Sequence, residues 1–434
     1  PAWQQAIKGL VVLGAAGYGV LTSPWTWSAL HDARELPPLE GADLKNGREV
    51  FVASDCATCH ATPGQDKDTV LGGGRVLETQ FGTFHMPNVS PHPERGIGKW
   101  TLAEFDRALR EELEAATLRA GATPARGAGD RMRPEEPDPE RTCFERDRDR
   151  IVHSTAFRRL AGKTQVVVHP RDHQRTRLTH ALEVAQVARS IAASVGANVT
   201  LADAIALGHD CGHGPGGHAA EQAFDAFLPG GFDHGPWGAD MALSELNLCS
   251  QTLDGIRNHS WSRPAPMTIE GEIVSWADRI AYCAHDLEDA SRAGIVQLDE
   301  LPGEVIALLG RTRREQLGVL IRAMSATICR TGRVGMDPET AGALAALRRF
   351  NYERIYTRPD SLAQSRAVIE VLQDLVAWYV EHPDRKPGRF CAGDPVLDAV
   401  SYVAGMTDRF AFDMAEELLG WAPERLPRGI GYGA

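Results

Sequence analysis

The chain has 434 residues, enough for two or more domains, and a formal net charge of −12 with no basic half. This charge gives no electrostatic support for nucleic-acid binding. Of its eight cysteines, Cys56 and Cys59 form one close pair and six are scattered, which indicates reduced thiols in a cytosolic protein and not a disulfide framework.

The first predicted element is an apolar segment at the start of the chain. After Lys8 no charged residue occurs before Asp32, and a run of this length can cross a bilayer, which takes about 20 residues. Trp25 and Trp27 stand near its far end, where aromatic rings favour the membrane interface. Residues 1–33 are therefore predicted to be a signal-anchor helix that directs the following chain out of the cytoplasm. A buried helix of a soluble core is the alternative.

A Cys-x-x-Cys-His motif, Cys56-Ala-Thr-Cys59-His60, comes next. Its two thiols can bond covalently to one haem, and His60 can serve as the proximal iron ligand. Zinc is the competing interpretation of a Cys-x-x-Cys pair, but no second pair follows to complete four ligands. The motif therefore predicts covalently bound haem c, held by Cys56, Cys59 and His60.

The chain after this motif, including LGGGRVLETQFGTFHMPNVSPHPERGIGKWTLAEFDRALRE, resembles one domain of the membrane-anchored cytochrome c subunits of periplasmic alcohol and aldehyde dehydrogenases. The resemblance covers about residues 1–110 and implies a small α-helical cytochrome c domain over residues 40–112. In that family the distal methionine, which binds the haem iron opposite the histidine, lies after the helix that corresponds to Leu102–Arg110. Here the sequence stops resembling the family directly after this helix, so the segment with that methionine is missing. The implied domain is therefore incomplete, with His85 and Met86 as the nearby substitutes for the distal ligand.

Residues 113–141 are rich in Gly, Pro, Arg and acidic residues and lack apolar periodicity, so they are predicted to form a mobile linker or an extended arm. From Phe144 onward, long segments place apolar residues at the 3.6-residue spacing of amphipathic helices. No alternating strand pattern of useful length occurs. The sequence therefore predicts a mainly α protein with an all-helical domain over residues 142–434.

Two helical segments of this domain carry a candidate metal site, RLTHALEVAQ and ALGHDCGHGPGGHAAEQ. His180 lies on the first, and the adjacent His209 and Asp210 lie at the end of the second, where glycines stop the helix. Two imidazoles and a carboxylate suit Zn, Fe or Mn, and Mg less obviously. Asp278, in the segment EIVSWADRIAY, is the candidate fourth ligand.

Further histidines follow this site closely. His218 and Glu221 form an i, i+3 pair that can protonate a departing oxygen in phosphate hydrolysis. His213 follows His209 by four residues and is predicted to project toward the metal from the same helical face. Its role is open between a phosphate contact, a general acid and support of a metal ligand.

Three side chains are placed to hold a substrate. Arg177, three residues before His180, can pair with phosphate oxygens. Tyr282 and Asp286 follow Asp278 at i+4 and i+8, so all three lie on one helical face and can line one site. Burial in a helix core is the alternative for Tyr282.

Six stretches together resemble the HD-domain deoxynucleoside triphosphate triphosphohydrolases, the dGTPase-like family, over about residues 114–434. They read RDRDRIVHSTAFRRLAGKTQV, RTRLTHALEVAQ, HDCGHGPGGHAAE, FDHG, IRNHSWS and WADRIAYCAHDLED. The resemblance implies that His180, His209, Asp210 and Asp278 bind the metal, that His213, His218, Glu221 and His234 form the catalytic group, and that Gln165, Arg177, Tyr282 and Asp286 hold the sugar and phosphates.

The predicted function is therefore metal-dependent hydrolysis of deoxynucleoside triphosphates, dGTP-like, to deoxynucleoside and triphosphate. A divalent Mn, Mg, Fe or Zn ion and haem c are the expected cofactors, and a homo-oligomer formed through the HD domain is the expected assembly. The alternatives are a membrane-anchored haem electron-transfer protein with a passive C-terminal half, and an HD phosphohydrolase acting on another nucleotide.

The two halves predict different compartments. The hydrolase half indicates the cytoplasm, where deoxynucleoside triphosphates are found, whereas the N-terminal half indicates a membrane-anchored, periplasm-facing protein. This conflict indicates a fusion of two ancestries, either natural or from two joined reading frames.

Overall fold

The computed structural model describes residues 43–101, except 54–55, 65–69, 80–81, 87, 91 and 93, and residues 111–427, except 112–113, 116, 139, 166–173 and 388–392. The chain forms two compact units, the N-terminal unit Pro1–Asp106 and the C-terminal unit Arg107–Ala434. The predicted signal-anchor helix over residues 1–33 lies outside the described residues.

In its described residues, the N-terminal unit contains two short helices and a small sheet. Helix α1 spans Leu44–Ala53, helix α2 spans Cys56–His60, and strands β1 (Val76–Thr79) and β2 (Gly82–His85) pair antiparallel, with Val76 opposite His85. The predicted small α-helical domain did not include this sheet, because strands of four residues are too short for their alternation to be read from the sequence. The whole Cys-x-x-Cys-His motif lies within α2.

The predicted membrane location of the N-terminal half is corrected by the structure. Among the described residues, no helix is both long enough and apolar enough to cross a bilayer. Helices α1 and α2 have 10 and 5 residues, whereas a bilayer requires about 20 apolar ones. The assignment of a membrane-anchored, periplasm-facing N-terminal half is therefore wrong by this finding.

The C-terminal unit is mainly helical, which confirms the predicted fold class for this part of the chain. Its α-helices are α3 (Cys143–His153), α4 (Thr155–Arg159), α5 (Arg177–Val195), α6 (Val199–Gly208), α7 (His218–Asp225), α8 (His234–Trp237), α9 (Ser250–Arg257), α10 (Ile269–Arg292), α11 (Gly303–Leu309), α12 (Arg313–Thr331), α13 (Pro338–Asn351), α14 (Pro359–Glu381), α15 (Pro395–Ala404) and α16 (Asp408–Leu419). Short 3₁₀ turns occur at Leu160–Gly162, Ser244–Leu246, Leu298–Glu300 and Pro383–Arg385, and π turns at Gly238–Ala242 and Tyr352–Tyr356.

Helices α5 and α6 form a hairpin whose ends are fixed by polar caps. The side chain of Thr176 accepts the N–H of Thr179 at the start of α5, and Gly196, with φ 72°, ends this helix in the left-handed conformation. The side chain of Asn198 then caps α6. Because the two helices run antiparallel, the start of α5 lies beside the end of α6, where His180 and His209 are found.

The helices that carry the candidate site belong to two hydrophobic cores. Buried side chains of α3, α5, α6, α9, α10, α11, α12 and α13 form the first core. Those of α7, α14, α15 and α16 form the second. The predicted metal ligands therefore stand on helices of the first core, and α7, with His218 and Glu221, belongs to the second.

The segment predicted as a linker or arm lies along the C-terminal unit as an extended arm. The hydroxyl of Thr123 donates to Glu270 at 2.8 Å, and the N–H of Arg119 donates to the carbonyl of Gly196 at 2.7 Å. Further along, Nη1 of Arg131 lies 2.7 Å from Oδ1 of Asp147 on α3, and both side chains are buried. Polar contacts, which leave no hydrophobic periodicity in the sequence, hold this arm in place.

Lys163 and Asp408, both 2% exposed, join the loop after α6 to the C-terminal helices. Lys163 Nζ donates to the carbonyls of His213 and Ala404, and Asp408 accepts the N–H groups of Thr164 and Gly216 and the hydroxyl of Thr164. Burial lowers the pKa of Lys163 to about 8, although Asp408 opposes this change. The loop that carries the predicted catalytic histidines is thereby fixed to α15 and α16.

Candidate active site

Four side chains converge where the start of α5, the end of α6 and the middle of α10 meet. His180 Nε2 lies 3.0 Å from Asp278 Oδ1 and 3.9 Å from Asp210 Oδ2. His209 Nε2 lies 3.5 Å from Asp210 Oδ1 and 3.7 Å from Asp278 Oδ1. Ligands about 2.1 Å from one ion are about 3.0–3.4 Å apart at octahedral or tetrahedral angles. The structure thus brings the four predicted ligands together at close to the spacing that a small divalent cation requires.

The ring of His209 is oriented for ligation. Its Nδ1 lies 2.6 Å from the carbonyl oxygen of Ala206, and because a carbonyl can only accept, Nδ1 carries a proton and Nε2 faces the carboxylates. This Nε2 is buried, and the described part of the chain offers it no hydrogen-bond partner. A buried nitrogen of this kind, beside two carboxylates, fits a bound cation.

The electrostatics of the site favour positive charge at this point. Burial opposes ionisation of Asp210, but Arg177, with Nη1 2.7 Å from Oδ2, and nearby histidines hold the pKa of this carboxyl well below its usual range. Burial also opposes ionisation of Asp278, but His180 and His209 hold its pKa low. Against burial, the two carboxylates raise the pKa of His209 to about 9. A metal ion would therefore compete with a proton for the same nitrogen.

The predicted catalytic group is assembled beside these ligands. Glu221 on α7 lies between two histidines, with Oε1 2.5 Å from Nδ1 of His234 and Oε2 3.4 Å from Nδ1 of His218. Burial opposes ionisation of Glu221, but these two histidines hold its pKa well below the usual range. The side chain of His218 is 71% exposed, whereas that of His234 is 8% exposed. His218 is therefore the member that can reach a substrate. Together with His213, these side chains also form a group that could hold a metal ion.

His213 contacts the predicted metal ligand Asp210 directly. It lies in the turn after α6 and not on a continuing helix, as its i+4 spacing had suggested. Its Nε2 lies 3.1 Å from Oδ1 of Asp210, and its ring stacks on His234 with 3.7 Å between centroids. Burial, assisted by Arg177 and His234, holds the pKa of His213 well below its usual range. A neutral, buried His213 therefore donates to Asp210 and joins the ligand group to the catalytic group.

A cavity of about 950 Å³ opens over both groups. Its lining includes all the predicted site residues of the C-terminal unit except the fully buried His209. Gln165 lies in its wall, and the buried Oε1 of Gln165 has no hydrogen-bond partner within the described ranges. Arg177 also lines the cavity, and its Nη1 donates to Oδ2 of Asp210 at 2.7 Å.

The predicted sugar-binding side chains lie on α10 at the other end of the cavity. Asp286 Oδ2 accepts the hydroxyl of Tyr356 at 2.5 Å, and the hydroxyl of Tyr282 accepts Nε–H of Arg348 at 3.0 Å. Burial raises the pKa of Asp286 to about 7, against the lowering effect of Tyr356. Tyr282 is half-buried at the cavity wall, so it lines the site as well as packing against the core.

Several cavity residues were not predicted from the sequence. Arg279 stacks on Trp261, with its guanidinium carbon 3.3 Å from the ring centroid, and both line the cavity with Arg348 and Tyr356. His259 is buried but also lines the cavity, and its Nε2 lies 3.0 Å from Nε2 of His234. The sequence signals for Arg279, Trp261 and His259 were their positions inside the quoted motifs IRNHSWS and WADRIAYCAHDLED, whereas Arg348 and Tyr356 lie outside the six quoted stretches. These contacts join residues that are far apart in the sequence, as Arg348 and Tyr282 are at 66 positions, so local sequence patterns cannot predict them.

The predicted haem residues belong to the N-terminal unit. Helix α2 places all of Cys56-Ala-Thr-Cys59-His60 in little more than one turn, and the side chains of Cys59 and His60 are half-buried. The backbone of Met86 pairs with Gly74 and Arg75 after the second strand. Neither the position of the motif in α2 nor that of Met86 tests haem binding, so the haem assignment stays a prediction.

Comparison with known proteins places the C-terminal unit among phosphohydrolases. The family model "HD domain" matches residues 177–283, and "Phosphohydrolase-associated domain" matches residues 334–417. A "deoxyguanosinetriphosphate triphosphohydrolase-like protein" of Caldanaerobacter subterraneus is 38% identical over 323 residues, which cover 72% of this chain and 95% of the relative. A protein of the same name from Clostridium perfringens is 40% identical over 299 residues, 64% of this chain and 87% of the relative. None of these matches supports a fused cytochrome c domain.

Proposed function

The chain belongs to the deoxyguanosinetriphosphate triphosphohydrolase-like family of HD-domain phosphohydrolases, and on this premise we propose that its C-terminal unit hydrolyses deoxynucleoside triphosphates, dGTP among them, to deoxynucleoside and triphosphate. The observation that carries the proposal is the convergence of His180, His209, Asp210 and Asp278 at one end of the cavity. A divalent cation held there would neutralise phosphate oxygens and supply an activated water.

The chain's own residues have distinct parts in this reaction. Arg177 orients Asp210 and turns toward the cavity, so it can bind an oxygen of the phosphate next to the sugar. His218, exposed and backed by Glu221, can give a proton to the departing 5′-oxygen. Asp286 and Tyr282 lie further from the ligand group on the same face of α10, where they can hold the sugar.

The sugar end of the cavity supports a deoxynucleotide over a simple phosphodiester. Asp286 Oδ1 is buried and has no hydrogen-bond partner in the described chain, so it can accept a 3′-hydroxyl. Tyr282 and Tyr356 enclose the same space with aromatic carbon.

The test is an assay of the purified full chain with Mn²⁺ and each of the four deoxynucleoside triphosphates, with GTP as the ribonucleotide comparison. We expect deoxynucleoside and intact triphosphate as the products, resolved by ion-exchange chromatography and ³¹P NMR. Asp278→Ala should abolish turnover and bound metal together, whereas Asp299→Ala, an exposed carboxylate outside the cavity, should change neither. Release of monophosphate and pyrophosphate, or no reaction with any of these substrates, would refute the proposal.

We further propose that the N-terminal unit attaches haem through Cys56 and Cys59, with His60 as the proximal ligand. Support comes from the placement of the complete motif in α2. The chain would be produced with an export signal and a haem-maturation system, and the denatured protein examined for covalent haem by its absorption in alkaline pyridine. Cys59→Ser should weaken the attachment, and the absence of covalent haem from the unaltered chain would contradict the assignment.

A further inference from the structure

Trp261 lines the cavity although it is 46% exposed. Two contacts with α10 fix its ring: Nε1 donates to the carbonyl of Ser275 at 3.2 Å, and the ring of Trp276 meets it edge-on with 4.6 Å between centroids. The guanidinium carbon of Arg279, which is also on α10, lies over the ring at 3.3 Å from its centroid. Trp261 therefore offers Arg279 a fixed aromatic face at the cavity wall.

Arg279 is a cation without a carboxylate partner in the described chain. Its Nε is buried with no hydrogen-bond acceptor, and its guanidinium forms no ion pair, among these residues. Burial lowers the pKa of Arg279, and Arg348 adds to this effect, although Tyr282 opposes it. Arg348 lines the same cavity, and its Nε donates to the hydroxyl of Tyr282 at 3.0 Å. Two neighbouring guanidinium groups, one of them without an acid, favour an anionic ligand.

A second stack of an arginine on a tryptophan lies outside the cavity. The guanidinium carbon of Arg425 is 4.3 Å from the ring centroid of Trp421, and Arg425 Nη2 lies 3.8 Å from Oε2 of Glu370. There a carboxylate balances the cation, whereas the charge of Arg279 faces the cavity without one. The stack on Trp261 therefore keeps a cation available for a ligand.

An aromatic face can fix a guanidinium without using its N–H groups. A carboxylate partner would accept two of the five N–H groups and balance the charge, whereas a ring contacts the face of the guanidinium through its π electrons. The stack also restricts the rotamers of a long side chain before a ligand arrives. Less conformational freedom is then lost when the ligand binds.

We propose that Trp261 is a positioning residue for phosphate binding: it holds the guanidinium of Arg279 at the cavity wall so that its N–H groups meet phosphate oxygens of the deoxynucleoside triphosphate. The inference deepens the proposed triphosphohydrolase function and rests on it. Trp261 acts through Arg279, and it binds neither the metal ion nor the departing oxygen. Its effect is therefore expected in the binding of the substrate and of the triphosphate product, and not in the rate of the chemical step.

The experiment measures kcat and KM for dGTP, and the inhibition constant Ki of inorganic triphosphate, on the Mn²⁺-loaded full chain with free Mn²⁺ held constant. Trp261→Leu removes the aromatic face, so KM and Ki should both rise about 3–30-fold while kcat changes less than about twofold. Trp261→Phe restores an aromatic ring and should recover most of the loss. Trp421→Leu, which removes the ring of the stack outside the cavity, is the matched control and should leave both constants unchanged.

A double-mutant cycle separates this role from a structural one. Arg279→Gln should itself raise Ki, and in that background Trp261→Leu should change Ki less than about twofold, because the ring acts through the guanidinium. An equal effect of Trp261→Leu in both backgrounds would mean that Trp261 acts independently of Arg279, and would overturn the proposal. A lower Tm of Trp261→Leu with unchanged KM and Ki would overturn it as well, since Trp261 would then only stabilise the fold.

A readout on the unaltered chain does not depend on the folding of the variants. Binding of inorganic triphosphate at Arg279 changes the electric field at the indole of Trp261. The tryptophan emission of the Mn²⁺-loaded chain should therefore change with half-saturation at a concentration equal to Ki. Emission that stays constant up to saturating triphosphate would refute the proposal.

Failure of the inference is distinguishable from failure of the proposed function. If the unaltered chain releases no triphosphate from dGTP, the proposed function itself is wrong. If it releases triphosphate and Trp261→Leu retains the unaltered KM and Ki, only the role of Trp261 is refuted.

Discussion

Replacing Arg131 by methionine tests whether the arm before α3 is part of the folded C-terminal unit. Arg131 Nη1 lies 2.7 Å from Oδ1 of Asp147, with side-chain exposures of 4% and 0%, and Nη2 donates to the carbonyl of Cys143 at 3.0 Å. Methionine keeps most of the apolar stem and removes the charge. The substitution therefore leaves the carboxylate of Asp147 buried without its cation.

The expected cost follows from the burial of this pair. Removing one partner of a buried ion pair destabilises a protein by about 3–5 kcal/mol. Asp147 retains two donors, the N–H of Cys249 at 2.8 Å and the hydroxyl of Thr252 at 2.7 Å, which favours the lower end of this range. A unit of the size of Arg107–Ala434 unfolds with an entropy of about 0.7 kcal/mol/K. The midpoint of thermal unfolding should therefore fall by about 4–7 °C.

The assay is thermal unfolding followed by circular dichroism at constant metal concentration. Arg141→Met is the matched control, because Arg141 pairs with Asp138 and Asp149 at 2.7 and 3.0 Å but is 47% exposed. An exposed pair of this kind contributes about 1 kcal/mol or less, equivalent here to about 1 °C. Adding Asp147→Asn to Arg131→Met should recover part of the loss, since the amide removes the unpaired charge.

Equal midpoints for Arg131→Met and Arg141→Met would refute the reasoning, because they would mean that the arm does not dock on α3 in solution. The rate of nucleotide hydrolysis at 20 °C should be unchanged in both variants, as neither arginine lines the cavity. A loss of turnover in folded Arg131→Met would show that the arm acts on the site as well as on stability.

Three further outcomes are expected. His218→Gln should lower kcat about 10²–10⁴-fold while bound metal, measured by atomic emission, is retained, because this side chain supplies a proton and not a ligand; loss of metal would contradict that role. Asp286→Asn should stabilise the metal-free protein by an amount that grows between about pH 4 and pH 7, to at most about 4 kcal/mol. The reason is that the raised pKa of Asp286 makes the folded state bind more protons than the unfolded state in this pH range. A difference in the free energy of urea unfolding that does not change with pH would exclude this cause. Gly216→Ala should cost about 1–3 kcal/mol, since φ is 72° and the new Cβ would lie 2.5 Å from Val368 Cγ1, and Val368→Ala should relieve part of it in a double-mutant cycle.

The sequence predicted the site best where residues of a recognisable chemical type also stand at helical spacing. His180 on one helix and His209 with Asp210 at the end of the next were expected to meet, and the α5–α6 hairpin brings them together. The spacing of Asp278, Tyr282 and Asp286 places all three along one face of α10 toward the cavity. Such patterns are readable because a single helix fixes the relative directions of its side chains.

Contacts between distant segments could not be predicted in this way. Glu221 was paired with His218 three residues away, but its shorter contact is to His234, which follows a loop after α7. His259 and Tyr356 complete the site from residues that no periodicity singles out. The arm around Arg131 lacked any apolar pattern, because its attachment consists of hydrogen bonds and ion pairs with residues more than ten positions away.

The hydrogen bonds that Lys163 and Asp408 make to the loop after α6 also determine how this loop can unfold locally. Because Lys163 bonds the carbonyls of both His213 and Ala404, the loop cannot swing away from α15 without leaving an ammonium group buried and unpaired. Local opening of the loop and release of the C-terminal helices are thus one event, not two. The backbone amide of Gly216, bonded to Asp408, should then exchange with deuterium only as rarely as α16 detaches. We therefore expect the regions of the two family matches, although separate in sequence, to unfold together as one cooperative unit.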